Sequence, residues 1–368
     1  MSATLDPAVE SGLNLYKQRN KDGKYTTPDG EFMSVTTILS YLSKGPYLNN
    51  WYAKQAALDC YQQVVWYEDG TIDLTTLITR LKDWPTRMKA AERERDRKGR
   101  IGSLVHHALY SSSTGLEFVD MEHLEGWLLR EAKGLKMLDT LDEETGLVTE
   151  GEHNDYQRLA ADALPYSVNA LEWVKKYQPR WEMVGLEAMG AKVLVPAEGE
   201  IPSVGYAGTL DSIAWLRPKD FLTEKGKTGN AMRALHALYP DQEEVRVQID
   251  FKTSNSISDT FVWQIEAYAE FDYILAENAE GDAILNGKRM AHYDPGQIQA
   301  NCILHIKADE DCDLLAYPRS ERVYEGFLSL MDAVNVLTDP KKPKPMRLKL
   351  PPKEKAPPKR THARVADF

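Results

Sequence analysis

The most informative segment of the chain reads GYAGTLDSIAWL at residues 205–216, then, after a polar insertion, VRVQIDFKTS at residues 245–254 and TFVWQIEAYAEF at residues 260–271. The first two pieces are rich in β-branched and aromatic residues, which is typical of β-strands. The third repeats its apolar residues at the spacing of an amphipathic helix. This succession of strand, strand and helix predicts an α/β fold.

Two aspartates, Asp211 and Asp250, stand in these otherwise apolar strands, where an unpaired carboxylate is costly to bury. Asp250 and Lys252 are two residues apart, so both side chains leave the same face of the strand, about 6–7 Å apart along it. Phe251, between them, points the other way into packing. The two strands therefore bring carboxylates and one lysine to a common place.

Carboxylates in this arrangement suit phosphodiester hydrolysis, which needs an activated water and positive charge near the leaving oxygen. One or two Mg²⁺ ions supply both, and Mg²⁺ takes few protein carboxylates because it keeps several waters. Lys252 beside them can orient or deprotonate the attacking water, or stabilise transition-state charge. The same pattern also fits a structural Asp211 and a surface pair of Asp250 with Lys252.

The helix adds a third feature, because Gln264 and Tyr268 lie on one of its faces at positions i and i+4. An Asp-x-Lys pair alone carries little weight, since the same spacing recurs at Asp22 and Lys24 in a predicted turn. The order of the three pieces, each with its polar residues, is what indicates a catalytic site.

Two further candidates for the site lie upstream. His106 and His107 are adjacent in a predicted helix and point about 100° apart, so at most one of them faces the site. A histidine is either satisfied within the helix, or it is a metal ligand whose nitrogen favours Mn²⁺ beside Mg²⁺. Glu187 is predicted in the strand before Asp211, either as a ligand or supporting carboxylate, or as a solvated charge on an edge strand.

A basic segment directly precedes these histidines. Residues 80–100 hold nine lysines and arginines against four acids. This composition fits a solvated helix face with intrahelical ion pairs. It also fits a strip that contacts phosphates, in which Arg93, Arg97 and Arg100 would bind DNA.

Composition and charge limit the possible classes of protein. The 368 residues are 42% hydrophobic and 27% charged, as in a soluble globular protein. The formal net charge is −11, and residues 341–368 carry ten lysines and arginines against two acids, which leaves about −19 for the rest. This charge argues against a protein that coats DNA non-specifically, and any path for nucleic acid is a local basic strip.

Targeting and cysteine signals are absent from the sequence. No apolar run is long enough to span a bilayer, and the first residues lack the order of a signal peptide, so we expect a cytoplasmic protein without a membrane partner. Cys60, Cys302 and Cys312 fall in no metal-binding spacing. An iron–sulfur cluster normally needs four thiolates, so none is expected here.

Three regions are expected along the chain. Residues 1–180 read as a hairpin at 13–33 followed by helices, with Ser34 as an N-cap, a helix break near Pro85 and an acidic loop near residues 142–155. Residues 181–338 read as strands that begin at Trp181, an insertion at 217–243 with a short helix, an amphipathic helix over 259–279, two further strands and a closing helix. Residues 339–368 are rich in proline and lysine and are predicted to be disordered.

These motifs together resemble the PD-(D/E)xK nuclease superfamily, and within it the RecB-like exonucleases. The matching pieces occur in the family's order and are GSLVH ending at His106, GLE ending at Glu187, GTLD ending at Asp211, IDFKTS with Asp250 and Lys252, and QIEAY from Gln264 to Tyr268. The segments SVTTIL and LNNWYAKQAA are similar to the opening of mitochondrial genome-maintenance exonucleases and related phage proteins.

The resemblance implies a central mixed sheet flanked by helices, dependence on Mg²⁺ or Mn²⁺, and cleavage of DNA from an end. It implies that His106, Asp211 and Asp250 bind metal, with the Ile249 carbonyl as an extra ligand, and that Lys252 is the catalytic lysine. Gln264 and Tyr268 would contact the DNA backbone or support Lys252.

The same resemblance bears on partners and on alternatives. It implies a role in phage recombination or replication beside a single-strand annealing protein. No GxxxxGK[ST] motif occurs, so any unwinding would come from a partner. Two alternatives remain open: an endonuclease of the same fold that acts on branched or flapped DNA, and a catalytically silent DNA-binding protein.

Overall fold

The computed structural model describes residues 23–42, 45–83, 89–135, 155–198, 203–277, 283–285 and 288–338. Four predicted features lie wholly or partly outside these residues: the first part of the N-terminal hairpin, the helix break at Pro85, the acidic loop near residues 142–155 and the tail from residue 339. Among the described helices, none is both long and apolar enough to cross a membrane.

The described residues form nine α-helices and twelve β-strands. The helices are α1 (Val35–Leu39), α2 (Gly45–Glu68), α3 (Leu74–Lys82), α4 (Ala90–Ser113), α5 (Met121–Gly134), α6 (Asp155–Tyr177), α7 (Gly226–Leu238), α8 (Asp259–Tyr268) and α9 (Glu321–Thr338). The strands are β1 (Lys24–Thr27), β2 (Gly30–Ser34), β3 (Arg180–Trp181), β4 (Ala188–Val195), β5 (Val204–Leu210), β6 (Ser212–Leu216), β7 (Val245–Lys252), β8 (Tyr273–Glu277), β9 (Ala283–Leu285), β10 (Lys288–Tyr293), β11 (Ala300–His305) and β12 (Asp313–Pro318).

The strands form two mixed sheets, so the α/β class is confirmed, but the expectation of one central sheet is wrong. The larger sheet has the order β1-β2-β5-β4-β8-β10-β9, with β2 and β5 parallel. The smaller has the order β12-β11-β7-β6-β3, with β11 and β7 parallel. The other pairs in both sheets are antiparallel.

The chain passes from one sheet to the other at Asp211. Strand β5 ends at Leu210, which pairs with Ala188 in the larger sheet. Strand β6 begins at Ser212, which pairs with Ile249 in the smaller sheet. What the sequence presents as one strand is therefore a bent connection between two sheets, with Asp211 at the bend.

Helices cover both faces of the smaller sheet. One face buries Val247, Ile249 and Phe251 against α4, α6 and α7. On the other face α8 lies over β7, where Gln248 donates to the Ile265 carbonyl at 3.2 Å. Helices α1, α8 and α9, the last with Phe327, share a second apolar core with residues of both sheets, among them Leu210 and Ile213.

A helical layer lies beside the sheets. Helices α4, α5 and α6 bury a third apolar core that includes Leu104, Leu128 and Leu159. Helix α4 also sends Val105 and Leu109 into the core of the smaller sheet. Because α4 is fixed on two sides, the polar residue between these positions, His106, has a defined direction.

Several predicted elements are confirmed. Ser34 caps α1 and accepts a hydrogen bond from the Thr37 N–H at 3.0 Å. The insertion holds helix α7, which packs on β12, and strands β11 and β12 and the closing helix α9 occur where the sequence predicts them.

Two boundaries are wrong. The strand predicted from Trp181 is interrupted by a 3₁₀ turn at Met183–Gly185, and the helix predicted over 259–279 ends at Tyr268. Residues Tyr273–Glu277 form strand β8 instead. Short apolar runs such as YILAE fit a buried strand as well as a helix, so periodicity alone does not separate them.

Candidate metal centre

Asp211 lies at the bend between the two sheets, 8% exposed. Its carboxylate Oδ2 accepts a hydrogen bond from the Phe251 N–H at 2.6 Å. Its backbone carbonyl accepts from the Glu187 N–H at 2.9 Å. The main chain therefore holds Asp211 against both β7 and the residue before β4.

Glu187 stands just before β4 rather than within a strand, which corrects the predicted placement. Its φ of +48° is in the left-handed region, which a residue other than glycine adopts at a cost. The 3₁₀ turn Met183–Gly185 precedes it, and Gly185 fits against Ile213 so closely that a Cβ there would lie 2.9 Å from that side chain. With the chain turned in this way, the Glu187 carboxylate points toward Asp211.

His106, and not His107, faces these carboxylates, as the resemblance implies. Its Nδ1 lies 3.3 Å from Glu187 Oε1 and 3.7 Å from Asp211 Oδ1. His107 Nδ1 lies instead 3.6 Å from Glu131 of helix α5. His106 Nε2 lies 3.1 Å from the Phe251 carbonyl, and because a carbonyl only accepts, Nε2 carries the proton in that bond.

Asp250 and Lys252 leave the same face of β7, as predicted. Lys252 Nζ lies 2.6 Å from Asp250 Oδ2, and Asp250 is 1% exposed. Phe251 points to the other side, where its ring meets the His106 ring edge-on at a centroid distance of 5.5 Å. The alternative of a surface pair is therefore wrong, because Asp250 is buried beside Asp211.

Burial and mutual repulsion set the charges in this cluster. Burial raises the pKa of Asp250 to about 6, with Lys252 opposing the shift and Asp211 adding to it. Burial also raises the pKa of Asp211 against the opposing charges of His106 and Lys252. Burial disfavours the protonated His106 ring, but Asp211 and Glu187 outweigh it and raise the pKa of His106 to about 9. The two aspartate shifts therefore come mainly from burial, whereas the shift of His106 comes from its carboxylate neighbours.

The donor set fits a small divalent cation. Ligand atoms of His106, Glu187 and Asp211 all lie within 4.8 Å of one another. Asp250 Oδ1 is buried and accepts no hydrogen bond from the residues described. Carboxylate oxygens with one imidazole suit Mg²⁺ or Mn²⁺. A histidine that donates its other N–H to a backbone carbonyl, as His106 does, is the usual arrangement for a metal ligand.

The backbone carbonyls of Ile249 and Phe251, both in β7, have different partners. The Ile249 carbonyl accepts a hydrogen bond from Ser212 Oγ at 2.8 Å, across the β6–β7 pair. The Phe251 carbonyl lies beside His106. The Ile249 carbonyl as a metal ligand stays a prediction. The hydrogen bond by which Phe251 positions His106 was missed, because backbone direction leaves no mark in the residue pattern.

Gln264 and Tyr268 face each other on α8, with Gln264 Nε2 donating to the Tyr268 hydroxyl at 3.2 Å. Tyr268 is 4% exposed and packs under Gly208 of β5, where a Cβ would lie 2.5 Å from its ring. Of the two implied roles, burial favours support of the site for Tyr268 over contact with DNA. Gln264 is partly exposed.

The basic segment at the start of α4 is partly paired within the protein. Arg97 bonds Glu94 at 2.8 Å and also Asp162 of helix α6, so its guanidinium joins two helices. Arg95 is 59% exposed and pairs with its neighbour Asp96. Arg100 is partly exposed, and the Arg93 side chain lies outside the described residues. For Arg97, the ion-paired interpretation of this segment is the one that the contacts favour.

No protein-family model matches this chain, and no curated protein matches it. The candidate metal centre therefore stands on the geometry of this chain's own residues.

Proposed function

We propose that the protein is a metal-dependent deoxyribonuclease of the PD-(D/E)xK type that hydrolyses phosphodiester bonds from a DNA end. The observation that supports this is the meeting of His106, Glu187 and Asp211, whose ligand atoms lie within 4.8 Å of one another, beside the ion pair of Asp250 and Lys252, whose charges act on Asp211. These residues come from four separate parts of the chain, so their meeting is a property of the fold and not of local sequence.

His106, Glu187 and Asp211 would hold the ion, with Asp250 as the further ligand that the resemblance implies. Mg²⁺ or Mn²⁺ bound there would supply Lewis-acid chemistry and an activated water at neutral pH. The chain's own contribution is to fix the ligands. The Phe251 N–H holds Asp211, and the Phe251 carbonyl holds the His106 ring with Nδ1 toward the carboxylates. One backbone residue thus orients two ligands.

Lys252 is the group that can act on the substrate. Its ammonium is close to Asp250 at 2.6 Å and its side chain is 16% exposed, so it borders both the cluster and the solvent. In this position it can orient the attacking water or stabilise the charge that develops on the phosphate. The burial of the carboxylates around it strengthens that interaction, because the local dielectric is low.

The biological setting follows from the resemblance alone. We propose that the enzyme works in the cytoplasm of a host cell during phage recombination or replication, together with a single-strand annealing protein. The exposed basic residues of α4 would guide the DNA strand.

End-labelled linear DNA, single- and double-stranded, and a covalently closed circle would be incubated with Mg²⁺, Mn²⁺ or EDTA. We expect metal-dependent loss of a linear species while the circle survives, because an exonuclease needs a free end. Cutting of the circle would replace the exonuclease by the endonuclease alternative. No cutting in any metal would contradict the proposal and leave a DNA-binding protein.

A further inference from the structure

The Lys252 ammonium has an aromatic neighbour in addition to Asp250. Lys252 Nζ lies 4.9 Å from the centroid of the Phe261 ring. Phe261 belongs to the first turn of α8, so the ring approaches Lys252 from the helix that lies over this face of β7. A cation within about 6 Å of an aromatic face is attracted by the ring quadrupole.

Hydrogen bonds anchor the segment that joins Lys252 to α8, and they hold the Phe261 ring in place. His305 is the partner of Lys252 in the parallel β7–β11 pair, and its Nε2 donates to the Ser254 carbonyl at 2.6 Å. Ser258 then caps α8 by accepting from the Thr260 N–H at 3.3 Å. The position of Phe261 relative to Lys252 is therefore set by hydrogen bonds at both ends of the segment.

Helix α4 also packs against the segment that follows β7. A Cβ on Gly102 would lie 3.1 Å from Thr253 Oγ1, so the helix backbone approaches the residue after Lys252 closely. The helix that carries His106 and the helix that carries Phe261 therefore both contact the segment that follows β7.

A divalent cation at the carboxylates would change the balance of forces on Lys252. It would compete with the ammonium for Asp250 and repel it, and the four-carbon stem of lysine lets the ammonium move away. The attraction of the Phe261 ring is not removed in this way, because the ring is uncharged and binds no Mg²⁺ or Mn²⁺.

From these contacts we infer that Phe261 is a positioning residue that keeps the Lys252 ammonium at the reacting centre while Asp250 serves a cation. The inference rests on the proposed function, since it concerns the lysine of that same site. It adds one aromatic residue, from the first turn of α8, to the residues of the proposed site.

The test compares three variants under saturating Mg²⁺ and varied DNA. Phe261→Leu keeps an apolar side chain but removes the aromatic face, and we expect kcat to fall roughly ten- to thirtyfold with KM unchanged. Phe261→Trp keeps a face and should restore most of kcat. The matched control is Trp263→Leu on the same helix, whose ring packs near Gly326 of α9, and it should leave kcat near the wild-type value.

A second readout is independent of turnover. In protein labelled with ¹³C at lysine Cε, the Lys252 signal is assigned by its loss in Lys252→Arg. We expect this signal to show a ring-current shift in the wild type and in Phe261→Trp. In Phe261→Leu the signal should remain but the ring-current shift should be lost. A purely structural role of Phe261 would also lower the melting temperature, which is measured on the same samples.

The outcomes separate the two proposals. If the wild type cleaves and Phe261→Leu cleaves as fast, or if Phe261→Trp gives no rescue, Phe261 has no positioning role while the nuclease stands. If the wild type cleaves no DNA with either metal, the proposed function fails and the catalytic role of Phe261 fails with it.

Discussion

At the scale of single residues, the site depends on places where the backbone departs from regular structure. Asp211 is the residue between β5 and β6, and Glu187 has a φ of +48° just before β4. Backbone strain of this kind persists where the surrounding structure imposes it, and it concentrates at functional sites. The hydrogen bond between the Glu187 N–H and the Asp211 carbonyl joins the two irregular points.

Gly208 tests how tightly the strand before Asp211 packs on α8. In Gly208→Ala, the new Cβ would lie 2.5 Å from the buried Tyr268 ring, so we expect the free energy of unfolding to fall by about 1–3 kcal/mol. Urea unfolding measures this free energy. The control is Gly99→Ala in α4, where a Cβ would meet no atom of another described segment within 4 Å, so we expect the free energy of unfolding to rise by about 0.5–1 kcal/mol. Equal effects at both glycines would contradict the close packing.

The sequence identifies most of these residues but not their surroundings. Spacing puts Asp250 and Lys252 on one face of a strand, and the structure keeps them there. The hydrogen bonds of the Phe251 and Ile249 carbonyls could not be predicted, because they depend on which side chains the fold brings to each carbonyl. The ring of Phe261 beside Lys252 likewise follows from how α8 lies on the sheet, which no local pattern encodes.

Among the secondary-structure elements, α4 contributes both a residue of the candidate site and a basic segment. Its second half carries His106 to the cluster, with Val105 and Leu109 in one core and Leu104 in another. Its first half carries the basic residues, one of which, Arg97, is tied to Glu94 and to Asp162 of α6. The helix therefore combines a structural ion pair with exposed cations in adjacent turns.

We expect two arginines of α4 to behave differently. Arg97→Ala should lower the free energy of unfolding by about 1 kcal/mol, because it removes partly buried ion pairs between two helices. The DNA affinity of this variant should change little. Arg95→Ala, at a side chain 59% exposed, should leave stability unchanged but weaken DNA binding and reduce its salt dependence. Urea unfolding and binding titrations at several salt concentrations measure both. The reverse pattern would place the DNA contact at Arg97.

The errors in predicting elements share one cause. The strand predicted from Trp181 contains a 3₁₀ turn, and the helix predicted through residue 279 gives way to β8. In both places an apolar run satisfies two kinds of secondary structure, and tertiary pairing decides between them. The cap at Ser34 and the helix in the insertion were predictable because capping and helical periodicity are local signals.

At the scale of the whole molecule, the cluster lies where the two sheets and the helical layer meet. Asp211 connects the sheets, Glu187 precedes β4 of the larger sheet, Asp250 belongs to β7 of the smaller one and His106 comes from α4. Three buried carboxylates that share this junction repel one another. A bound divalent cation would remove that repulsion and join the layers.

Metal binding should therefore stabilise the whole fold. With Mn²⁺ at 100 times its dissociation constant, we expect about 2.7 kcal/mol of added stability, which raises the melting temperature by a few degrees. Thermal unfolding with Mn²⁺ and with EDTA measures the difference. Asp211→Asn should lose it, whereas Asp309→Asn, at an exposed residue of the loop before β12, should keep it. An equal rise in both variants would show that the ion binds elsewhere.

The decisive experiment on this site compares the rates at which the wild type and Lys252→Met degrade end-labelled linear DNA. We expect metal-dependent degradation by the wild type that EDTA stops. We expect a rate at least about 100-fold lower in Lys252→Met, although Mn²⁺ still raises the melting temperature of that variant. A Lys252→Met protein that degrades DNA as fast as the wild type, or a wild type that does not degrade it at all, would contradict the assignment of this cluster as a nuclease centre.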